Sequence, residues 1–271
     1  MKHALRHVCP NGLLLVYAFC YPGSLFASTE SVANIETKDS GFAWLSDAPN
    51  VTQWGLGGGV SYDKSPYKGY GSDVNPTPLV YFDNKWVHLY GNDLDLKLGH
   101  WQNFSVALHA NYALGEGYDA SDADILNGMQ KRRGGFWAGP SVAWQTDLGT
   151  LSANYLLAGN KGQRAMLGIT KQFGYGDVTF SPYARVAWLN SQYVDYYYGV
   201  RDSEARPGRQ AYKGESTYNV TGGLRIGYAL TQRQRLQLDA NVTHLGSGIT
   251  NSPLVDRASV PRFSLGYLYQ F

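Results

Sequence analysis

Tyr218-Asn219-Val220-Thr221-Gly222-Gly223-Leu224-Arg225-Ile226-Gly227-Tyr228 decides the fold. Tyr218, Val220, Leu224, Ile226 and Tyr228 share one side of it, and Asn219, Thr221, Gly223, Arg225 and Gly227 share the other. Alternation is the period of a β-strand, whose successive side chains point to opposite faces. The apolar side is also sorted by depth, with a Tyr at each end and aliphatics between them. A strand in a soluble core has no reason to sort residues this way. A strand crossing a bilayer does, because Tyr and Trp favour the two lipid–water interfaces and aliphatics favour the hydrocarbon.

The pattern recurs in both directions along the chain. Trp54, Leu56, Val60 and Tyr62 oppose Gly55, Gly57, Gly59 and Ser61. Phe104, Val106, Leu108, Ala110 and Tyr112 alternate with Ser105, Ala107, His109 and Asn111. Phe136, Ala138, Pro140, Val142 and Trp144 alternate with Trp137, Gly139, Ser141 and Ala143. Further strands are expected at 151–157, 165–169, 178–188, 236–242 and 263–271, with a shorter one at 94–98. Segments 76–83 and 86–91, joined by a tight Asn84-Lys85 turn, bring the count to twelve. Apolar residues stand on both sides of these two, so their inward and outward faces stay open. The polar faces elsewhere are too rich in Gly, Ser, Asn, Gln and Arg for a dry core. An antiparallel up-and-down transmembrane β-barrel of about twelve strands, all-β, satisfies the alternation, the even count and the need of lipid-exposed strands for closure.

Connection lengths agree. Starting upward, the turns near 84–85, 100–103, 146–149, 174–177 and 231–234 are short, as periplasmic turns are. The opposite connections 63–75, 114–134, 190–216 and 246–261 are long, with two short exceptions near 92–93 and 158–162.

Charged residues make up only 16 % of the 271, whereas Gly (32) and Tyr (21) are abundant. After the N-terminus there is no apolar run of about 18 residues, so no transmembrane helix is expected in the mature chain. Lys2 and Arg6 followed by Leu13-Leu14-Leu15-Val16-Tyr17-Ala18-Phe19 form a secretory signal, with cleavage expected after Ala27. Cys20 follows bulky Phe19, which does not fit a lipid-attachment site. Both cysteines, Cys9 and Cys20, leave with the signal, consistent with an oxidising compartment. Lys2 and Arg6 also leave, so the 23 basic residues fall to 21 and match the 21 acidic ones. Such a balance gives no basis for nucleic-acid binding. The organisation expected is a signal peptide at 1–27, a periplasmic N-terminal segment at 28–50 and an outer-membrane barrel at 51–271 of a Gram-negative cell. Tyr267, Tyr269 and the terminal Phe271 resemble the signal read by the barrel-assembly machinery, an expected partner along with outer-membrane lipid.

The loops carry further text. Asp195-Tyr196-Tyr197-Tyr198-Gly199-Val200-Arg201, then Glu204-Ala205-Arg206-Pro207-Gly208 and Tyr212, resembles the MipA/OmpV family of outer-membrane proteins. So do Ser252-Pro253-Leu254-Val255-Asp256-Arg257, the glycine run 55–59 with Tyr70-Gly71 and Pro76, and Leu126-Asn127-Gly128-Met129 with Arg132. The resemblance covers nearly the whole mature chain. It implies a scaffold that bridges a membrane-bound lytic transglycosylase to a bifunctional penicillin-binding protein during murein growth. It also implies alternatives found among members, a porin-like channel or a surface adhesin. It carries over no catalytic residue and no cofactor.

Two groups of residues are candidates for chemistry. Tyr196, Tyr197, Tyr198, Arg201, Glu204, Arg206 and Tyr212, with Arg209, could bind a glycan or a partner, since aromatic faces stack on sugars and Arg forks hold carboxylates. The competing reading is a loop folded over the barrel mouth and held by its own contacts. Asp95, Lys97, Arg164, Arg185, Arg225, Arg235 and Asp239 are expected to face the lumen. They would either set the selectivity of a pore or pair with one another in a filled interior. The acids Asp119, Asp122 and Asp124 lack calcium-loop spacing and are expected in a solvated loop. His244, Ser247 and Asn251 have no lipase motif around them, so no enzyme is expected. A scaffold would work through the short turns and 28–50, with Trp44 and Leu45 as candidate anchors.

Overall fold

A computed structural model describes residues 42–44, 50–113 and 115–271. The expected signal at 1–27 and most of the segment 28–50 lie outside the described residues. The rest is one closed barrel. Its strands are β1 (Gln53–Lys64), β2 (Ser72–Asp83), β3 (Val87–Tyr90), β4 (Asp93–Trp101), β5 (Phe104–Tyr112) and β6 (Phe136–Thr146). They continue with β7 (Gly149–Leu157), β8 (Gln163–Thr170), β9 (Val178–Leu189), β10 (Thr217–Ala229), β11 (Gln234–His244) and β12 (Ser259–Gln270). Each pairs antiparallel with the next, and β12 closes on β1 through registers such as Phe263 with Tyr62 and Gln270 with Gly55. The expected twelve-strand barrel is the fold.

The outward face follows the depth sorting. Register sets aromatic beside aromatic near the long-loop end: Tyr62 with Phe263, Tyr112 with Phe136, and Trp188 with Tyr218. Near the short-turn end Phe104 meets Trp144 and Trp54 meets Phe82. Exposed Leu96, Leu108, Leu167, Val186, Val220 and Leu238 fill the band between. The open face of β2 and β3 is settled as well. Val80 and Phe82 point outward beside Leu89, while Leu79, Tyr81 and Tyr90 point into the lumen. Apolar residues serve the lumen wall here, which is why alternation alone did not sort the two sides.

The closing seam explains the glycine run. A Cβ on lumen-facing Gly55 or Gly59 would stand 2.6 Å from the Tyr269 or Leu265 carbonyl oxygen, and one on Gly57 would overlap the Tyr267 carbonyl. Gly58 faces outward, where the nearest atom to an added Cβ is 3.9 Å away. Phe271 fastens the same seam. Its N–H donates to Trp54 O at 3.0 Å and its ring stacks on Trp54 with centroids 4.1 Å apart.

β3 has only four residues, so the short-turn end of β4 overhangs it. Ala43–Trp44 occupies that place, pairing with His100 and Gly99. Gly99 gives the room, because a Cβ there would lie 2.6 Å from the Phe42 ring.

Candidate functional site

The apolar core lies at the long-loop end of the lumen. There the connections 115–135, 190–216 and 245–258 fold onto one another and onto the strand tops. The centre of this cap is a helix, α1 (Ser191–Tyr198). Asn190 starts it, its side-chain oxygen accepting from Tyr193 N at 2.9 Å, as N-cap residues do. Asn190 also accepts from Gln163 N at 3.0 Å, tying the helix to β8. The buried face carries Tyr193, Val194, Tyr197 and Tyr198.

Beneath α1, one buried carboxylate gathers the cap. Glu116 accepts from Trp137 Nε1 at 3.1 Å, Arg164 Nη1 at 3.0 Å, Tyr197 OH at 2.9 Å and Tyr193 OH at 3.4 Å. The Arg164 guanidinium also lies 4.2 Å from the Trp137 ring centroid. Above it, Tyr67 stacks on Tyr198 at 5.5 Å and donates to Tyr197 O at 3.0 Å. Ser252 Oγ donates to Tyr198 O at 2.6 Å, which brings in the last loop.

The distinctive loop residues are drawn into this assembly. Tyr197 and Tyr198 are buried, and Tyr196 is half-buried with its hydroxyl against Arg133 N at 3.2 Å. Tyr212 OH donates to Gly248 O at 2.7 Å. Glu204 is buried and pairs with equally buried Arg132 at 3.1 Å. It also accepts from Gln130 N at 2.9 Å and Arg201 N at 3.2 Å. Burial works against its ionisation, but those two N–H groups and Arg132 outweigh it and hold the carboxyl below the ordinary Glu value. Arg209 donates to the carbonyls of Ile125, Asn127 and Glu204 at 2.6–3.0 Å. Arg201 reaches Gln130, and Arg206 reaches the Asp124 carbonyl. In the acidic segment, Asp119 pairs with Lys131 at 2.7 Å and its N–H donates to Asp122 at 2.7 Å. His244 meets Ser259 at 3.2 Å.

The lumen charges are brought together in pairs rather than in one ring. Lys97 lies 2.8 Å from Asp83, which His88 also contacts at 2.8 Å. Asp95 meets His109 at 2.8 Å, with Asp93 at 3.6 Å from the same ring. Arg225 and Asp239 are 3.3 Å apart, and Tyr183 donates to Asp239 at 2.9 Å. The Tyr183 ring lies 4.4 Å from the Arg185 guanidinium and 5.7 Å from that of Arg225. Arg235 stands lower, at the start of β11 opposite Ala229 and Leu268. The partners Asp83, His88, Asp93, Glu116 and Tyr183 were not singled out in the sequence. Parity along β4, β5 and β9 points to Asp93, His109 and Tyr183, but nothing local marks Glu116 in its loop.

Two neighbouring cavities run along the side of the interior formed by β1–β3 and β9–β12, and another lies by β6, β7 and β8 at the short-turn end. The upper holds about 1150 Å³ of empty space and the lower about 1750 Å³, open solvent included. They share Leu79, Tyr90, Arg225, Gln237 and Gly266. The upper one ends at Leu189 and Tyr193 under the cap, and the lower one reaches Gln172, Gly176 and Asp177 at the short-turn rim.

Known proteins resemble this chain along most of its length. Residues 56–271 match the family model described as MltA-interacting protein MipA. The MltA-interacting protein of Escherichia coli K12 is 27 % identical over 255 residues, 92 % of this chain and 96 % of that protein. The outer membrane protein Omp26La of Vibrio anguillarum is 31 % identical over 153 residues, 55 % of this chain, and the match spans 60 % of Omp26La's own length. Among solved structures, the NanC porin overlays 79 % of this chain and 98 % of its own with a TM-score of 0.41 and 8 % identity. A lipid-facing barrel whose sequence matches the family model from its first strand to its last residue leaves one conclusion: the chain belongs to the MipA family and is an outer-membrane protein.

Proposed function

We propose that this protein is a non-enzymatic scaffold of the outer membrane that holds a lytic transglycosylase, and through it a bifunctional penicillin-binding protein, at sites of murein growth. The observation that carries this reading is the match over 96 % of a protein named MltA-interacting protein. Export behind a signal cleaved near Ala27, and insertion through Tyr267, Tyr269 and Phe271, belong to the same proposal. The physical support concerns which face remains to be used. In the outer cap, Tyr197, Tyr198, Glu204 and Arg209 are engaged with one another's loops. At the short-turn end, Trp44 (71 % exposed), Leu148 (71 %) and Tyr175 (83 %) present apolar surface on the periplasmic side. Aromatic residues of this kind anchor protein interfaces. In this reading the scaffold contact uses the rim formed by Ala43–Trp44 and the turns at 147–148 and 171–177, where exposed Trp44, Leu148 and Tyr175 support it. Co-purification from detergent-solubilised outer membranes tests it. The transglycosylase is expected with the full protein and lost when residues 28–50 are deleted. A partner that stays bound after that deletion removes the N-terminal segment from the contact, and no partner with the full protein removes the scaffold.

A further inference from the structure

We infer that the lower cavity, at the short-turn end of the lumen, is a binding site for an uncharged, N-acetylated sugar. The inference does not depend on the scaffold reading. Its charges argue against an ionic ligand. Arg225 and Arg235 reach the lining together with Asp83 and Asp177, so the two signs balance. Arg225 is paired with Asp239, and Asp83 with Lys97 and His88. An ion entering there would give up its water to groups that are already engaged, a cost that a neutral polar molecule does not meet.

Amide groups supply the rest of the polar wall. Tyr81 OH donates to Gln53 Oε1 at 3.2 Å, and Tyr90 OH donates to Gln237 Oε1 at 3.3 Å. Each tyrosine occupies the carbonyl end of its glutamine, which leaves the amide N–H groups as the end that can donate to a ligand. Gln270 supplies the opposite polarity. Its Oε1 is buried without a hydrogen-bond partner, and its side chain lines the same cavity. The terminal amide turns about a broad torsion, so a ligand O–H or N–H can satisfy an acceptor that is costly to leave unmade. Glycines clear the space around these amides. In the ladders Gln237 stands between Gly227 and Gly266, and Gln270 stands beside Gly55. The nearest atom to a Cβ added at Gly227 is 3.9 Å away. Half-buried Tyr90 adds an aromatic ring to the wall. Two amide donors, one unsatisfied amide acceptor and a tyrosine ring match the hydroxyls, acetamido groups and apolar ring faces of an N-acetylated sugar.

Titration calorimetry on the full chain, in a detergent without a sugar headgroup, tests the inference with N,N′-diacetylchitobiose as the probe. The same disaccharide without its acetyl groups is cationic, and N-acetylmuramic acid is anionic. The probe is expected to bind at least about tenfold tighter than either charged sugar, and roughly tenfold weaker in Gln237→Leu. Gln270→Leu gives a readout that general damage would not. It should weaken the probe and yet raise the urea midpoint of the unliganded barrel, because it removes the buried unsatisfied oxygen. Heat-modified gel mobility checks that each variant is folded. Equal binding of a charged sugar would overturn the neutral ligand. Absence of binding by the probe, unchanged binding in a folded variant, or a lowered midpoint in Gln270→Leu would overturn the site.

Discussion

Gly57 and Gly58 are adjacent in the chain and opposite in what they tolerate. Gly57 faces the lumen at the seam, where a methyl group would overlap the Tyr267 carbonyl, and backbone cannot swing aside as a side chain can. Gly57→Ala should therefore lower the stability of the barrel by at least about 1–3 kcal/mol, the usual cost of overpacking. Gly58→Ala, pointing into lipid, should be neutral or stabilising by up to about 1 kcal/mol, because glycine weakens a strand. Urea midpoints of the two variants folded into vesicles measure the difference. Equal midpoints would contradict the close approach of β12 to β1.

Glu204 gives a second residue-scale prediction. Its folded value lies below the ordinary one near 4.5, so its contribution to the cap is complete above that value and is lost as pH falls through the folded value. The protection of residues 190–216 against hydrogen exchange, taken relative to the intrinsic rate at each pH, should fall on acidification below about pH 4, near the ordinary Glu value, and less so in Glu204→Gln. The same substitution leaves Arg132 buried without its charge partner, a change that costs about 3–5 kcal/mol in buried pairs. The loop should consequently open more readily at neutral pH in Glu204→Gln, as protease susceptibility would report.

At the scale of elements, the strands were legible because a two-residue period and depth-sorted aromatics act together. β10 and β12 could be read directly. β2 and β3 could not, since Leu79, Tyr81 and Tyr90 put apolar surface on the lumen side. The helix α1 was also hidden. Its sequence, Ser-Gln-Tyr-Val-Asp-Tyr-Tyr-Tyr, is rich in residues that favour strands, and tertiary packing under Tyr67 and over Glu116 overrides that preference. The cap lies over the long-loop end of the lumen, and in the proposed reading it closes that end. Replacing residues 190–216 by a short Gly-Ser linker should convert a protein with no steady conductance in planar bilayers into one with stable open steps. Equal conductance before and after would show that the loop does not close the mouth.

For the whole molecule, the division of labour was only partly visible in the sequence. Barrel and membrane followed from composition and period, and the lumen positions of Arg185, Arg225 and Asp239 followed from parity. The cap did not, because Glu116 with Trp137, Arg164 and Tyr197 joins four separate stretches of chain. Nor did the pairing of Ala43–Trp44 with the overhang of β4, which depends on β3 being short. In the proposed scaffold, the outer loops are engaged with one another and the apolar rim at the short-turn end is the surface turned toward the murein. Site-specific photo-crosslinking in living cells tests this orientation of function most directly. A photoreactive residue at position 44, 173 or 175 should yield an adduct with the transglycosylase, whereas the same residue at 121 or 202 in the outer loops should yield none. Adducts from the outer loops, or no adduct from any rim position, would contradict the account.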